Sequence, residues 1–62
     1  MPIITFDGGK LSKEQKCQLA KELTDAGENA TGIRREAFVV ILRENDSENI
    51  GVGGCLLADK KK

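Results

Sequence analysis

The residue best placed for chemistry is Pro2, which follows Met1 and opens a short apolar segment over residues 3–6. A small second residue such as proline generally permits removal of the initiator methionine, and removal would leave a free secondary amine. An α-amino group ordinarily titrates near about pH 7.7–8.0, and burial or neighbouring cations lower the pKa of such an amine. Because the chain has no histidine, Pro2 is the best candidate for a general base near neutral pH.

Basic side chains are the second group of candidates, because charge that develops on an oxygen needs cations or preorganised donors. Lys10 follows the first apolar segment, while Arg35 and Arg43 flank the second. Alternation along a strand would place Arg35 and Arg43 on the face of Val39, with Arg43 about 13 Å from position 39. Lysine offers a point charge, whereas arginine offers a two-pronged donor. These cations are candidates for binding a carboxylate.

The elements that must position these residues are a strand, a helix and a second strand. Residues 3–6 are apolar apart from one threonine, which predicts a short buried strand. Ser12 and Gln15 predict a capping box at the start of a helix, and Gly32 is a natural residue to end it. An unbroken apolar run predicts a second strand over residues 36–43, covered on both faces. Together they predict a βαβ unit with parallel strands and a right-handed crossover.

The predicted helix carries one apolar stripe on a charged surface, formed by Leu19, Leu23, Ala26 and Ala30. Gly27 lies inside this helix, where it costs about 1 kcal/mol relative to alanine and marks either close packing or fraying.

Glu44, at the end of the second strand, is interpreted as a surface carboxylate. A polar loop over residues 44–49 follows, and residues 50–54 read Ile-Gly-Val-Gly-Gly, which predicts a small hairpin. The predicted fold class is α/β (α+β), a single β-α-β unit with a C-terminal β-hairpin. Residues 1–62 form a single predicted domain, ending in a lysine tail that we expect to be solvated.

Composition excludes several classes of function. Ten basic residues balance ten acidic ones, and two phenylalanines are the only aromatic residues, so we expect no nucleic-acid partner. No apolar run approaches 18 residues, which argues against a membrane segment. The lack of histidine and of a C-x-x-C spacing argues against a metal site. We expect a cytoplasmic protein with Cys17 and Cys55 as free thiols.

The apolar pattern also predicts a homo-oligomer. A chain of 62 residues is short, and such a domain buries only about 60% of the surface of its unfolded chain. Both faces of the second strand are apolar, yet one short helix covers only one of them. A neighbouring subunit is the expected cover for the other face.

In order along nearly the whole chain, the sequence resembles the 4-oxalocrotonate tautomerase family. The shared features are Pro2 before an apolar strand, the helix opening over residues 12–16, the second strand ending at Glu44, and the segment over residues 50–54. The resemblance implies subunits paired into dimers and assembled as a trimer of dimers, which is a homohexamer. It implies an isomerase in which Pro2 moves a proton between oxygen and carbon of a small enol or 2-oxo acid such as 2-hydroxymuconate.

The resemblance does not extend to the whole substrate-binding set of the family. The position of the first family arginine falls on Leu11, next to Lys10, and that of the second falls on Val39. The aromatic position before the glycine-rich segment falls on Ile50. The resemblance therefore implies Pro2 as the catalytic amine, with no cofactor. Candidate substrate-binding residues are Lys10, Arg35, Arg43, Val39 and Ile50.

Two other functions remain open from the sequence. One is a hydrolytic, dehalogenase-like relative in which a cationic Pro2 activates or protonates a halogenated or acetylenic acid. The other is a non-catalytic oligomeric scaffold that keeps Met1. A monocarboxylate substrate is as compatible with the missing arginines as a dicarboxylate.

Overall fold

A computed structural model describes residues 1–59 of the chain; the predicted solvated tail at residues 60–62 lies outside them. The regular elements are β1 (Ile3–Gly8), α1 (Lys13–Thr31), β2 (Val39–Glu44), β3 (Gly51–Val52) and β4 (Cys55–Leu56). Short 3-10 turns span Arg35–Ala37, Ser47–Asn49 and Leu57–Asp59. None of the helices within residues 1–59 combines the length and the apolar character needed to cross a bilayer.

The strands β1 and β2 pair in parallel, and α1 connects them and packs mainly against β2. The register runs from Ile3 opposite Val39 to Gly8 opposite Glu44. One helix therefore covers one face of a two-stranded sheet, and a hairpin follows. This order of elements confirms the predicted fold class.

Both ends of α1 agree with the sequence prediction. The Gln15 amide donates to Ser12 Oγ at 3.1 Å, and the Ser12 amide donates to Gln15 Oε1 at 2.9 Å, which completes the capping box. Such a cap stabilises a helix by about 1 kcal/mol. At the other end, the Gly32 amide donates to the Glu28 carbonyl at 2.8 Å and closes the last turn.

The apolar stripe of α1 ends differently from the prediction. Leu19 and Leu23 are half-buried, whereas Ala26 and Ala30 are exposed. On this part of the helix the position that packs closely is Gly27. A Cβ added there would lie 2.5 Å from Cε2 of Phe38. The helix backbone thus comes close to an aromatic ring that arrives from the segment before β2, and this close approach explains the glycine.

The second strand begins later than predicted. The sequence predicted it over residues 36–43, but β2 spans Val39–Glu44, and Arg35–Ala37 forms a 3-10 turn. The reason is the position at which β1 begins. Its first residue is Ile3, and Ile3 pairs with Val39. Residues 36–38 have no β1 residue opposite them, so the apolar side chains of Ala37 and Phe38 do not make this segment part of the sheet.

The outer face of the sheet, opposite α1, is uncovered in the single chain. Ile3 is 57% exposed, and Val39 and Ile41 are each 37% exposed. No hydrophobic side chain among the described residues is fully buried. The radius of gyration is 15.0 Å, against about 10–11 Å for a compact chain of this length. The single chain therefore lacks a closed core.

The C-terminal segment forms the predicted hairpin. Gly51 pairs with Leu56 and Val52 with Cys55. Gly53 and Gly54, between them, have φ angles of 62° and 89°, which a two-residue hairpin turn requires and which glycine adopts without strain. Strand β4 contacts the Ser47–Asn49 turn, and the two 3-10 turns that flank the hairpin contact each other. Within the described part of the chain, the hairpin makes no comparably extensive contact with β1, α1 or β2.

Candidate active site

Pro2 lies at the start of β1, where its backbone is held by the neighbouring strand. The Val39 amide donates to the Pro2 carbonyl oxygen at 3.0 Å. Pro2 is half-buried, whereas Met1 is 87% exposed. This contact orders residue 2 through its carbonyl oxygen. Because proline has no amide hydrogen to donate to a neighbouring strand, its nitrogen takes no part in the hydrogen bonding between β1 and β2.

Of the predicted substrate-binding residues, Val39 is the one that the structure brings next to Pro2. Its side chain lies on the uncovered outer face of the sheet, as the alternation of exposure along β2 indicates. Ile3, its partner in the register, lies beside it. The surface next to Pro2 is therefore apolar on this face.

Lys10 and Arg43 lie at the other end of the sheet. Asp7 pairs with Arg43 in the register, and their side chains are 3.9 Å apart. Lys10 is exposed and follows β1. Since β1 has six residues, the two ends of the sheet are about 17–20 Å apart. One chain does not bring these cations to its own Pro2.

Arg35 lies outside β2, so the prediction that it shares a strand face with Val39 is wrong. Its Nη1 donates to Asp25 Oδ1 at 2.8 Å and to Glu28 Oε1 at 3.1 Å. The hydrogen bond to Asp25 is the main cause of a raised pKa of the Arg35 guanidinium. Hydrogen bonds from Lys21 and then Arg35 lower the pKa of the Asp25 carboxyl. Arg35 thus connects the 3-10 turn before β2 to α1.

Glu44 has a larger role than the surface carboxylate inferred from the sequence. Its Oε2 accepts a hydrogen bond from the Leu11 amide at 3.1 Å and lies 3.2 Å from Lys16 Nζ. The Leu11 amide is the main cause, and Lys16 the second, of a lowered pKa of the Glu44 carboxyl, with a smaller contribution from the charge of Lys10. Sequence patterns gave no signal for this contact, because the two bonded residues are 33 positions apart.

Ile50 stands directly before β3 in the C-terminal segment and is half-buried. Its carbonyl accepts from the Leu57 amide at 2.7 Å, and its amide donates to the Ser47 carbonyl at 3.4 Å. Both partners belong to the same C-terminal segment. The position of Ile50 is therefore set by the hairpin and its turns.

An open groove of about 500 Å³ runs beside α1, and Phe6, Leu11 and Leu19 supply its apolar lining. Glu14, Gln15, Gln18 and Glu22 of α1 form its polar edge. The groove exists because α1 packs mainly over β2 and leaves the β1 side of the sheet open.

Cys17 and Cys55 are both free and exposed. Within residues 1–59, no three histidine, cysteine, aspartate or glutamate side chains are grouped so that they could hold a metal ion. The fold and the site together define a class of protein. Its members consist of a βαβ unit with a C-terminal hairpin and have an ordered proline directly before the first strand.

Comparison with known proteins places the chain in a family. The family model described as tautomerase enzyme matches residues 2–60. A probable tautomerase of Lactiplantibacillus plantarum is 40% identical over 63 residues, covering 98% of this chain and 97% of that protein. The chain therefore belongs to the tautomerase enzyme family, and this membership supports a tautomerase-type, isomerase-like activity.

Solved structures agree with this assignment. YwhB, a homologue of 4-oxalocrotonate tautomerase, superposes with a TM-score of 0.90 at 30% identity, covering 97% of this chain and 100% of that one. DmpI from Archaeoglobus fulgidus superposes with a TM-score of 0.85 at 34% identity, covering 94% and 100%. The strand, helix, strand and hairpin described above are thus the tautomerase fold.

Proposed function

We propose that this protein interconverts the enol and keto forms of a small 2-oxo acid, with the amine of Pro2 as general base and then general acid. Removal of Met1 creates that amine. The observation that carries the proposal is the position of Pro2, half-buried and held through its carbonyl by the Val39 amide at 3.0 Å. A base whose backbone is fixed in this way keeps a constant distance to a bound substrate.

The proposed chemistry needs one proton and one amine. The nitrogen of Pro2 takes a proton from the enol oxygen, or from carbon in the reverse direction, and returns it to the other atom. Apolar neighbours such as Ile3 and Val39, once a second copy covers them, are proposed to disfavour the charged form of the amine. Ile50 of a neighbouring copy is our candidate for the remaining apolar wall. The mechanism requires no cofactor.

We propose further that the active enzyme is a homo-oligomer, specifically a hexamer built as a trimer of dimers. Two uncovered surfaces support this assembly: the groove lined by Phe6, Leu11 and Leu19, and the outer face with Ile3 and Ile41. The free edge of β1 borders the groove. A second copy that pairs its own β1 there would cover apolar surface and extend the sheet.

Antiparallel pairing of two β1 strands would also complete the site. It would bring the end of one β1 strand next to the beginning of the other, and so Lys10 of the partner subunit next to Pro2. Lys10 is our preferred carboxylate-binding cation because it is exposed and follows β1 directly. Arg43 is a second candidate, held only loosely by Asp7 at 3.9 Å. We rank Arg35 below these two cations, because its Nη1 already contacts both Asp25 and Glu28.

We place this activity in the cytoplasm, since Cys17 and Cys55 are both free thiols. The proposal is tested in two steps on protein expressed without a tag at its amino end. Intact mass spectrometry is expected to show that Met1 is absent. Ultraviolet-monitored ketonisation of phenylenolpyruvate and of 2-hydroxymuconate then compares this protein with Pro2→Ala. Retention of Met1 would refute the role of Pro2 and favour the scaffold. Equal rates above the uncatalysed background in the two proteins would refute the role of Pro2 alone.

A further inference from the structure

Glu44 holds the segment that joins β1 to α1. Its carboxylate accepts the Leu11 amide hydrogen at 3.1 Å and contacts Lys16 Nζ, on the first turns of α1, at 3.2 Å. The next residue, Asn45, donates its amide to the Gly8 carbonyl at 2.7 Å. The end of β2 thus contacts the connecting segment at its beginning, at its end and at the helix that follows it.

Lys10 lies between two of these contacts. Gly8 is held by Asn45, and Leu11 is held by Glu44, so the backbone on either side of Lys10 is tied to β2. The side chain of Lys10 is itself exposed. A hydrogen bond to an ionised acceptor is stronger than one between neutral groups, so the Glu44 contact restrains the Leu11 amide more firmly than a neutral acceptor would.

We propose that Glu44 is a positioning residue, which fixes the segment carrying Lys10 and so holds that cation ready to bind a substrate carboxylate. The inference rests on the role proposed above for Lys10. Glu44 does not touch the substrate; it acts through the Leu11 backbone and the Lys16 side chain. Its effect on catalysis therefore passes through Lys10.

The first test measures the restraint without any substrate. Amide hydrogen exchange at Leu11 is followed by NMR in the wild type, Glu44→Ala and Glu44→Gln. We expect exchange at Leu11 to be roughly tenfold faster in Glu44→Ala, because the amide loses a charged acceptor. Glu44→Gln, which keeps a neutral acceptor, is expected to fall between the two. Unchanged exchange in Glu44→Ala would overturn the proposal.

A matched control separates this contact from the general effect of removing a carboxylate. Glu48 is an exposed glutamate in the 3-10 turn after β2. Glu48→Ala removes the same charge and the same side chain, and we expect Leu11 exchange to stay at the wild-type rate. Equal acceleration in both variants would show a loss of overall stability and would contradict a specific role for Glu44.

The second test asks whether Glu44 acts through Lys10. For phenylenolpyruvate, Glu44→Ala is expected to raise KM roughly three- to tenfold with little change in kcat, as expected when binding alone is weakened. Lys10→Ala is expected to raise KM similarly. In Lys10→Ala, the added Glu44→Ala change should have no further effect on KM. Additive effects would show that Glu44 does not act through Lys10, and a lower kcat with unchanged KM would also contradict it.

The two tests keep this inference separate from the proposed function. Absence of turnover in wild-type protein that lacks Met1 would refute the tautomerase assignment. The Leu11 exchange rates would still decide whether Glu44 orders the segment around Lys10. Faster Leu11 exchange in Glu44→Ala, together with turnover that does not depend on Lys10, would show that Glu44 restrains the segment. The same result would refute the proposal that this restraint positions Lys10 to bind the substrate.

Discussion

The Val39 amide donates to the Pro2 carbonyl oxygen at 3.0 Å, and the register places the Val39 side chain beside Ile3 on the outer face of the sheet. One backbone contact thus orders the proposed catalytic residue and sets the position of the side chain nearest to it. The family resemblance places an arginine at position 39, where this chain has valine. We therefore propose that the side chain at position 39 influences substrate preference.

We predict that Val39→Arg raises kcat/KM for the dicarboxylate 2-hydroxymuconate by about tenfold, because a charged hydrogen bond to a carboxylate contributes that much. The gain for the monocarboxylate phenylenolpyruvate should be smaller. Val39→Gln is the matched control, since it places a neutral polar side chain at the same position without adding a charge to the outer face. An equal gain from Val39→Gln would show that the effect does not come from a charged contact with the substrate carboxylate.

The groove beside α1 predicts how the assembly can be disrupted. Leu19→Glu would place a charge among the apolar groove residues, and burying it without a partner is costly. We expect sedimentation to show a weaker assembly, with the dissociation constant raised roughly 100-fold or more, and lower activity at the same protein concentration. Ala30→Glu, on an exposed part of the same helix, should leave both unchanged. A wild-type protein that sediments as a single chain would contradict the assembly.

The close approach of Gly27 to Phe38 predicts whether Gly27→Ala raises or lowers the free energy of unfolding. Alanine is the better helix former by about 1 kcal/mol, yet a Cβ at position 27 would lie 2.5 Å from the Phe38 ring. We expect the clash to dominate, so that Gly27→Ala lowers the free energy of unfolding by about 1 kcal/mol. In a Phe38→Leu background, the same change should be neutral or stabilising. Urea unfolding of the four proteins measures this coupling.

The contact of Arg35 with Asp25 predicts a dependence of stability on pH. In the folded chain the pKa of Asp25 is lowered from 3.8, first by the hydrogen bond from Lys21 and then by the one from Arg35. The contribution of the Arg35 contact is therefore complete above that value. It is lost as the pH falls through the folded pKa. We therefore expect Arg35→Ala to be less stable than wild type at pH 7, with a smaller difference at pH 3. A difference that stays constant across this range would show that the ion pair is not its source.

The sequence predicted the elements well where a local signal exists. The capping box of Ser12 and Gln15, the stop at Gly32 and the glycine turn of the hairpin each follow from backbone chemistry within a few residues. The late start of β2 was missed because it depends on where β1 begins. The contacts of Arg35 with α1 and of Glu44 with Leu11 were missed for the same reason, since they join residues that are distant in the chain.

The central claim is that the amine of Pro2 performs the proton transfer, and a pH titration of the Pro2 nitrogen tests it most directly. Protein labelled with 15N and lacking Met1 is titrated by NMR, and the pKa of the amine is compared with the rising limb of kcat/KM against pH for phenylenolpyruvate. We predict that the two pKa values coincide and lie below that of an ordinary secondary amine. A rising limb that differs from the Pro2 titration, or that persists in Pro2→Ala, would contradict it.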